Sequence, residues 1–177
     1  MSTTATEPKL EVQTFEFARD TLVAAAPEVV WDAVLAECGP ESTMPDGKPF
    51  PFTLEAFPGG RWYRDLGSHT GHLWGHVQVI KPPKLLELIG PMMISYPATH
   101  HIQYRLAGEG EGTRLTLTHR AFGYFPKDFI KGVDQGWSWK NKRIEEIAMR
   151  LKAARTGGRP GRRTTPCVRR RTRGWPL

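Results

Sequence analysis

Between Leu10 and Val23 the chain alternates: Val12, Thr14 and Glu16 fall on one side, Phe15 and Phe17 on the other. A period of two predicts a strand. At Ala26-Pro27-Glu28 the period changes, with Val30, Trp31, Val34 and Leu35 at helical spacing. Proline suits the first helical turn and an acid there complements the helix dipole, so a helix is predicted over about 27–37, closed by Gly39-Pro40. The stretch from Glu41 to Pro51 is polar and rich in Pro and Gly and predicts a loop with little structure of its own. Short strands follow at Phe52–Phe57, Arg61–Leu66, Leu73–Lys81, Leu85–Ile89, Thr99–Leu106 and Thr113–Ala121. They are separated by Pro58-Gly59-Gly60, by Gly67 to Gly71, by Pro82-Pro83 and by the Gly/Glu loop at Gly108–Gly112. Beyond Pro126 a helical stripe returns. Ile130, Val133, Trp137, Ile144, Ile147, Ala148 and Leu151 share one face to about Ala154, and Gly132 and Gly136 are expected to break its first turns.

A strand, a short helix, a run of antiparallel strands and a long C-terminal helix make an α+β layout. A long helix laid across a curved sheet encloses space, and that interior is the default place for function.

Composition changes the picture in one respect. The 177 residues carry a net charge of +7, but eight arginines and no acid lie between Arg155 and Leu177. The preceding 154 residues hold 17 basic and 18 acidic side chains, a balance of −1. The organisation read from the sequence is therefore a disordered lead (1–8), one folded domain (9–154) and a basic, disordered tail (155–177). The tail has two readings of equal standing: an arm that attracts nucleic acid, or a chance extension. No apolar run reaches the length of a membrane span, the start of the chain lacks a signal-peptide core, and two cysteines (Cys38 and Cys167) make no disulfide framework. These features predict a cytoplasmic protein.

Several motifs carry a resemblance. Ala26-Pro27-Glu28-Val29-Val30-Trp31-Asp32-Ala33 is similar to an A-P-x-x-V-W-x-A first helix, and Pro58-Gly59-Gly60-Arg61-Trp62 to a characteristic hairpin. Gly75-His76-Val77, Pro82-Pro83-Lys84-Leu85-Leu86, Gly112 to His119 and Gly136-Trp137 follow in order. Together they resemble the START-like, or SRPBCC, superfamily, whose helix-grip fold is that of the birch-pollen allergens, and within it the homologues of the heat-shock-protein-90 ATPase activator. The resemblance implies a curved antiparallel sheet of about six to seven strands wrapped around a long C-terminal helix, with a short N-terminal helix. It implies roles from binding lipids, hormones or polyketides to cyclisation and chaperone partnership, and supplies no catalytic set to carry over. The chain departs from the pattern in its longer, proline-rich segment 39–51 and in its arginine tail.

Candidate chemistry follows from the inward sets of the strands. His100, Ile102, Tyr104 and Leu106 share one face, as do Leu115, Leu117 and His119. Tyr63, Trp74, His76, Met92, Tyr96, His100, Tyr104, His119 and Trp137 are the residues expected to line a ligand cavity, aromatic walls with a few orienting polar groups. The apolar run Gly90–Pro97 is the expected lid. A three-histidine zinc site is set aside, since His72 and His76 lie about 13 Å apart along a strand. The expected function is binding of a small hydrophobic or aromatic molecule without metal or cofactor; a homodimer and a chaperone are further candidate partners. The alternatives are a cyclase or hydrolase in the same cavity, with Arg64, Arg105, Tyr104 and His119 as side chains of the right type, or stimulation of a chaperone ATPase through an exposed face.

Overall fold

A computed structural model of the chain describes residues 11–92, 96–125 and 127–157. The lead (1–8), the centre of the expected lid (93–95) and the tail from 158 onward lie outside them.

Strand β1 (Gln13–Val23) is followed by helix α1 (Pro27–Glu37), then β2 (Thr53–Leu54), β3 (Arg61–Gly67), β4 (Thr70–Lys81), β5 (Leu85–Gly90), β6 (Ala98–Glu109), β7 (Gly112–Gly123) and helix α2 (Lys127–Gly157). The seven strands form one antiparallel sheet in the order β1-β7-β6-β5-β4-β3-β2. Each strand neighbours its sequence successor except β1, which closes onto β7 over its whole length. This is the α+β architecture that the periodicities predict.

One face of the sheet is dry. Ile102, Tyr104 and Leu106 of β6, Leu115 and Leu117 of β7, and Leu86 and Leu88 of β5 are all buried. Against them pack the apolar stripes of α1 (Val30, Ala33, Val34) and α2 (Ile144, Ile147, Ala148). The outer face is ionic, with Arg120 on Glu16 and Arg114 on both Asp20 and Glu109. α1 starts on Pro27, as a fixed φ favours, and Thr113 Oγ1 donates to the Ala25 carbonyl at 2.7 Å, tying the helix start to β7.

Four local expectations change. The strand expected over Phe52–Phe57 shrinks to Thr53–Leu54. Glu55 turns its carboxylate onto the Arg61 backbone N–H and guanidinium, and Phe57 N–H bonds to the Glu55 carbonyl, so the backbone curls before it can pair further. The segment 41–51 is organised rather than loose. Met44 N–H bonds to Lys48, Phe50 N–H bonds to Ser42, and Thr43 bridges Pro49. This brings Phe50 and Phe52 onto Trp74 with ring centroids 6.1 and 4.4 Å away. α2 is continuous through Gly132 and Gly136 and runs on to Gly157. Each mid-helix glycine costs about 1 kcal/mol against alanine, but bonds to the sheet pin those turns: Arg19 reaches Asp134 and Ser138, and Trp137 reaches His119.

The fourth concerns phase. Trp62 pairs with Gly75 but Tyr63 pairs with Leu73, so Trp74 is the extra residue of a β-bulge. A bulge shifts the alternation by one. Trp74 and Val77, three apart, both point inward, and His76 between them points out.

Candidate functional site: a cavity between the sheet and the last helix

Where the first half of α2 crosses the sheet, the two surfaces do not meet. The space left is a cavity of about 360 Å³. Its apolar wall is Trp62 and Trp74 from β3 and β4, Met92 after β5, and Val133 and Trp137 from α2. Trp62, Trp74 and Phe52 pack edge-on at centroid distances of 4.4 to 5.2 Å, and Trp62 Nε1 donates to the Cys38 carbonyl at 2.7 Å, which fixes that wall. Gly132 and Gly136 also border the cavity, and a Cβ on either would meet nothing within 4 Å. Their missing side chains leave part of the space open.

The polar side chains that border this apolar interior are His119, the Glu37–Lys140 pair with Tyr104, and the exposed Asp128 of the first turn of α2, which pairs with Lys131. At one end, β7 presents His119. Trp137 Nε1 lies 2.8 Å from His119 Nδ1, and His119 Nε2 lies 2.8 Å from His100 Nδ1. An indole N–H only donates, so His119 Nδ1 must accept. A neutral His119 then carries its proton on Nε2 and donates it to His100, which carries its own on Nε2. Burial holds His100 down to about 4. Burial, then the neighbouring His100 and His101, holds His119 down to about 3. Both rings are neutral at pH 7, and the tautomers of the chain are determined by one donor at its end.

The other end is charged. Glu37, the last residue of α1, is 1% exposed. Lys140 Nζ of α2 lies 2.5 Å from Glu37 Oε1 and 2.6 Å from Ser42 Oγ, and Ser42 donates to the same carboxylate oxygen at 3.3 Å. A carboxylate at a helix C-terminus sits at the negative end of the dipole, and α1 has no basic residue in its last turn. Lys140 supplies that charge from the facing helix. Burial still pushes the Glu37 carboxyl above its ordinary value against the pull of Lys140. Beside the pair, Tyr104 donates its hydroxyl to the Cys38 thiol, and burial drives the tyrosine well above its ordinary value and the thiol up to about 12. Cys38 is therefore a packed thiol and no nucleophile.

Of the nine side chains expected at the cavity, Trp74, Met92, Tyr104, His119 and Trp137 border it. His100 is fully buried one residue behind and reaches the space only through His119. Three must be reassigned. His76 faces solvent because of the bulge at Trp74. Tyr63 follows the inward Trp62 and so lies on the other face, under the Arg61 guanidinium at 4.7 Å. Tyr96 is 45% exposed. Arg64 stacks on Phe50 at 3.6 Å and Arg105 lies on the outer face against Gln103, so neither borders the cavity. Among the described residues no three His, Cys, Asp or Glu are grouped to hold a metal, and no helix is long and apolar enough to cross a membrane.

Glu37 and Lys140 escaped the sequence reading, although each leaves a mark. Val30, Val34 and Glu37 fall on one helical stripe, as do Val133, Trp137, Lys140 and Ile144. A charge in a stripe position is the signal.

No family model matches the chain, and no curated protein matches it in sequence. Solved structures do match in shape. The Mll3558 protein of Rhizobium loti superposes with a TM-score of 0.61 at 19% identity, covering 77% of this chain and 99% of its own. Ara h 8.0201 gives 0.56 at 14%, covering 79% and 99%. The di-domain ARO/CYC StfQ of the steffimycin biosynthetic pathway gives 0.58 at 14%, covering 82% of this chain and 52% of its own.

Proposed function

Because the chain has a helix-grip, START-like fold, we propose that it binds a small, flat, largely apolar molecule between the sheet and α2. One observation carries this reading: a space of about 360 Å³ walled chiefly by three indoles, a methionine and a valine, with few polar side chains beside them. That volume and lining suit a small organic ligand. A packed interior of apolar side chains at ordinary density leaves few voids larger than a water. A core serving stability alone would place larger residues at Gly132 and Gly136. Stimulation of a chaperone ATPase through an exposed face needs no interior space, so the cavity weighs against it.

A second reading, turnover of the bound molecule, is favoured by Glu37 and Lys140 standing 2.5 Å apart beside the same space. Native mass spectrometry of protein purified from cells tests both, alongside titration with phenylnaphthylamine, a neutral dye that brightens in apolar surroundings. A co-purifying mass or saturable dye binding is expected. Chemical change of the ligand on incubation would select turnover. A clean apo mass with no saturable dye binding overturns the cavity reading.

A further inference from the structure

The buried Lys140–Glu37 pair is the part of the molecule that packing does not explain. Two charges withdrawn from water cost several kcal/mol each, and apolar residues of equal volume commonly hold two helices together as well or better. The pair also leaves bonding capacity unused. An ammonium has three hydrogens. Among the described residues Lys140 spends two in hydrogen bonds, on Glu37 and Ser42, and its Nζ stands 5.8 Å from the Phe52 ring centroid, a distant contact that takes up no hydrogen bond. Both hydrogen bonds to the carboxylate fall on Oε1, which leaves Oε2 as an acceptor. Lys140 and Glu37 both border the cavity, and three indoles make up much of the wall beyond them. One donor and one acceptor, side by side at the end of an apolar slot, match a group that offers one acceptor and one donor.

We propose that the Lys140–Glu37 end of the cavity is a head-group site for an acidic hydroxyl, a phenol or enol, carried on a flat apolar ring. The oxygen accepts from Lys140 Nζ and the O–H donates to the Glu37 carboxylate. This rests on the reading of the cavity as a ligand site.

Other head groups fit less well. A carboxylate would bring a second negative charge against Glu37 in a dry space, where like charges repel strongly. An ether or an unsubstituted ring satisfies Lys140 at most and leaves Glu37 without a donor. An aliphatic alcohol offers the same donor and acceptor but is the weaker donor. A phenol or enol shares the proton readily: as its O–H bond lengthens, the new O–H forms on Glu37, and the oxygen's growing charge is met by the Lys140 ammonium. Burial, which raises Glu37, favours the same direction.

The test compares ligands of one shape on the full chain. Para-nitrophenol should bind about 10-fold or more tighter than its methyl ether para-nitroanisole, the difference expected for hydrogen bonds to charged groups. Benzoate should bind more weakly than the phenol. In a buffer acidic enough that free nitrophenol is protonated, the absorption of the bound molecule should move toward that of its phenolate. In K140M, and in the charge-free double variant E37Q with K140M, the preference for phenol over ether should fall below about threefold and the spectral shift should vanish. Phenylnaphthylamine binding should persist. Equal affinity for phenol and ether in the unmodified protein overturns the proposal, whether or not the variants fold. So does a preference that survives K140M. If phenylnaphthylamine fails to bind the unmodified protein, the cavity reading itself fails, which is a different result from lost phenol preference with dye binding intact.

Discussion

Acidification should weaken this fold through two buried histidines. In the folded chain His100 and His119 stay neutral, held down to about 4 and about 3. Unfolded, each imidazole returns to an ordinary value of about 6.5. A base with a depressed folded value contributes stability that is present above the unfolded value and drains away as pH falls toward the folded one. The window is thus roughly pH 6.5 down to between 4 and 3. From pH 7 to pH 5 each unfolded histidine gains nearly a full proton that the folded one refuses, about 1.9 kcal/mol per residue and about 4 kcal/mol for the pair. Typical domains hold only about 5–15 kcal/mol in all. Glu37 works the other way: its raised value adds stability as pH falls, so it subtracts from the loss. Asp20, Asp46 and Glu55, all lowered, begin to contribute losses only as pH falls through about 5, so they add little between pH 7 and pH 5. Urea unfolding at pH 7, 6 and 5 measures the effect, and H119Q separates its source. Glutamine can still accept from Trp137 and donate to His100 but cannot charge, so the slope below pH 6 should halve, from about 2.7 to about 1.4 kcal/mol per pH unit. Because Glu37 contributes alike to both proteins, an H119Q slope equal to that of the unmodified chain would refute the neutral pair, and with it the tautomers assigned from Trp137.

Three more outcomes follow from named contacts. G136L should fill the cavity without cost: a Cβ there meets nothing within 4 Å, and leucine is a better helix former by up to about 1 kcal/mol. Thermal melting should therefore rise or hold while phenylnaphthylamine binding falls at least tenfold, and a falling melting temperature would show the site was already full. K140M should cost about 3 kcal/mol by stranding the Glu37 carboxylate, with most of the loss recovered in E37Q with K140M. A double-mutant cycle by urea unfolding reads the coupling, and additive losses would refute it. A chain ending at Gly157 should melt within a few degrees of the full length, since within α2 only the exposed Arg155–Asp32 pair borders the removed part. A drop beyond about 10 °C, worth about 3 kcal/mol for a chain of this length, would make the arginine tail part of the fold.

Most of the fold was legible because alternation and helical stripes survive translation into packing. The inward sets Ile102-Tyr104-Leu106 and Leu115-Leu117-His119 could be read directly, and so could the junction at Pro27. The bulge at Trp74 could not. It is a choice of hydrogen-bond register between two strands, and nothing in His72-Leu73-Trp74-Gly75-His76 says which residue will be left unpaired. His76 was assigned to the wrong face for that reason alone. The continuity of α2 was misjudged for another: helix propensity is local, while Arg19 and His119, which hold the glycine turns in place, come from more than a hundred residues away and from the neighbouring strand. The charged end of the cavity lay in plain view, as Glu37 and Lys140 in apolar stripes. Periodicity marks which face of a helix turns inward, and it does not say whether that face meets packed side chains or open space.

Gly132 and Gly136 border the internal cavity and also an outer depression lined by Pro45, Gln135 and Trp139. Both glycines are exposed, so on this side the space is bounded by bare backbone and water. No rotamer change can widen or narrow that edge, because there is no side chain to rotate. Its aperture is set by the path of α2 itself, and a molecule held there meets helix backbone where elsewhere it meets indole rings.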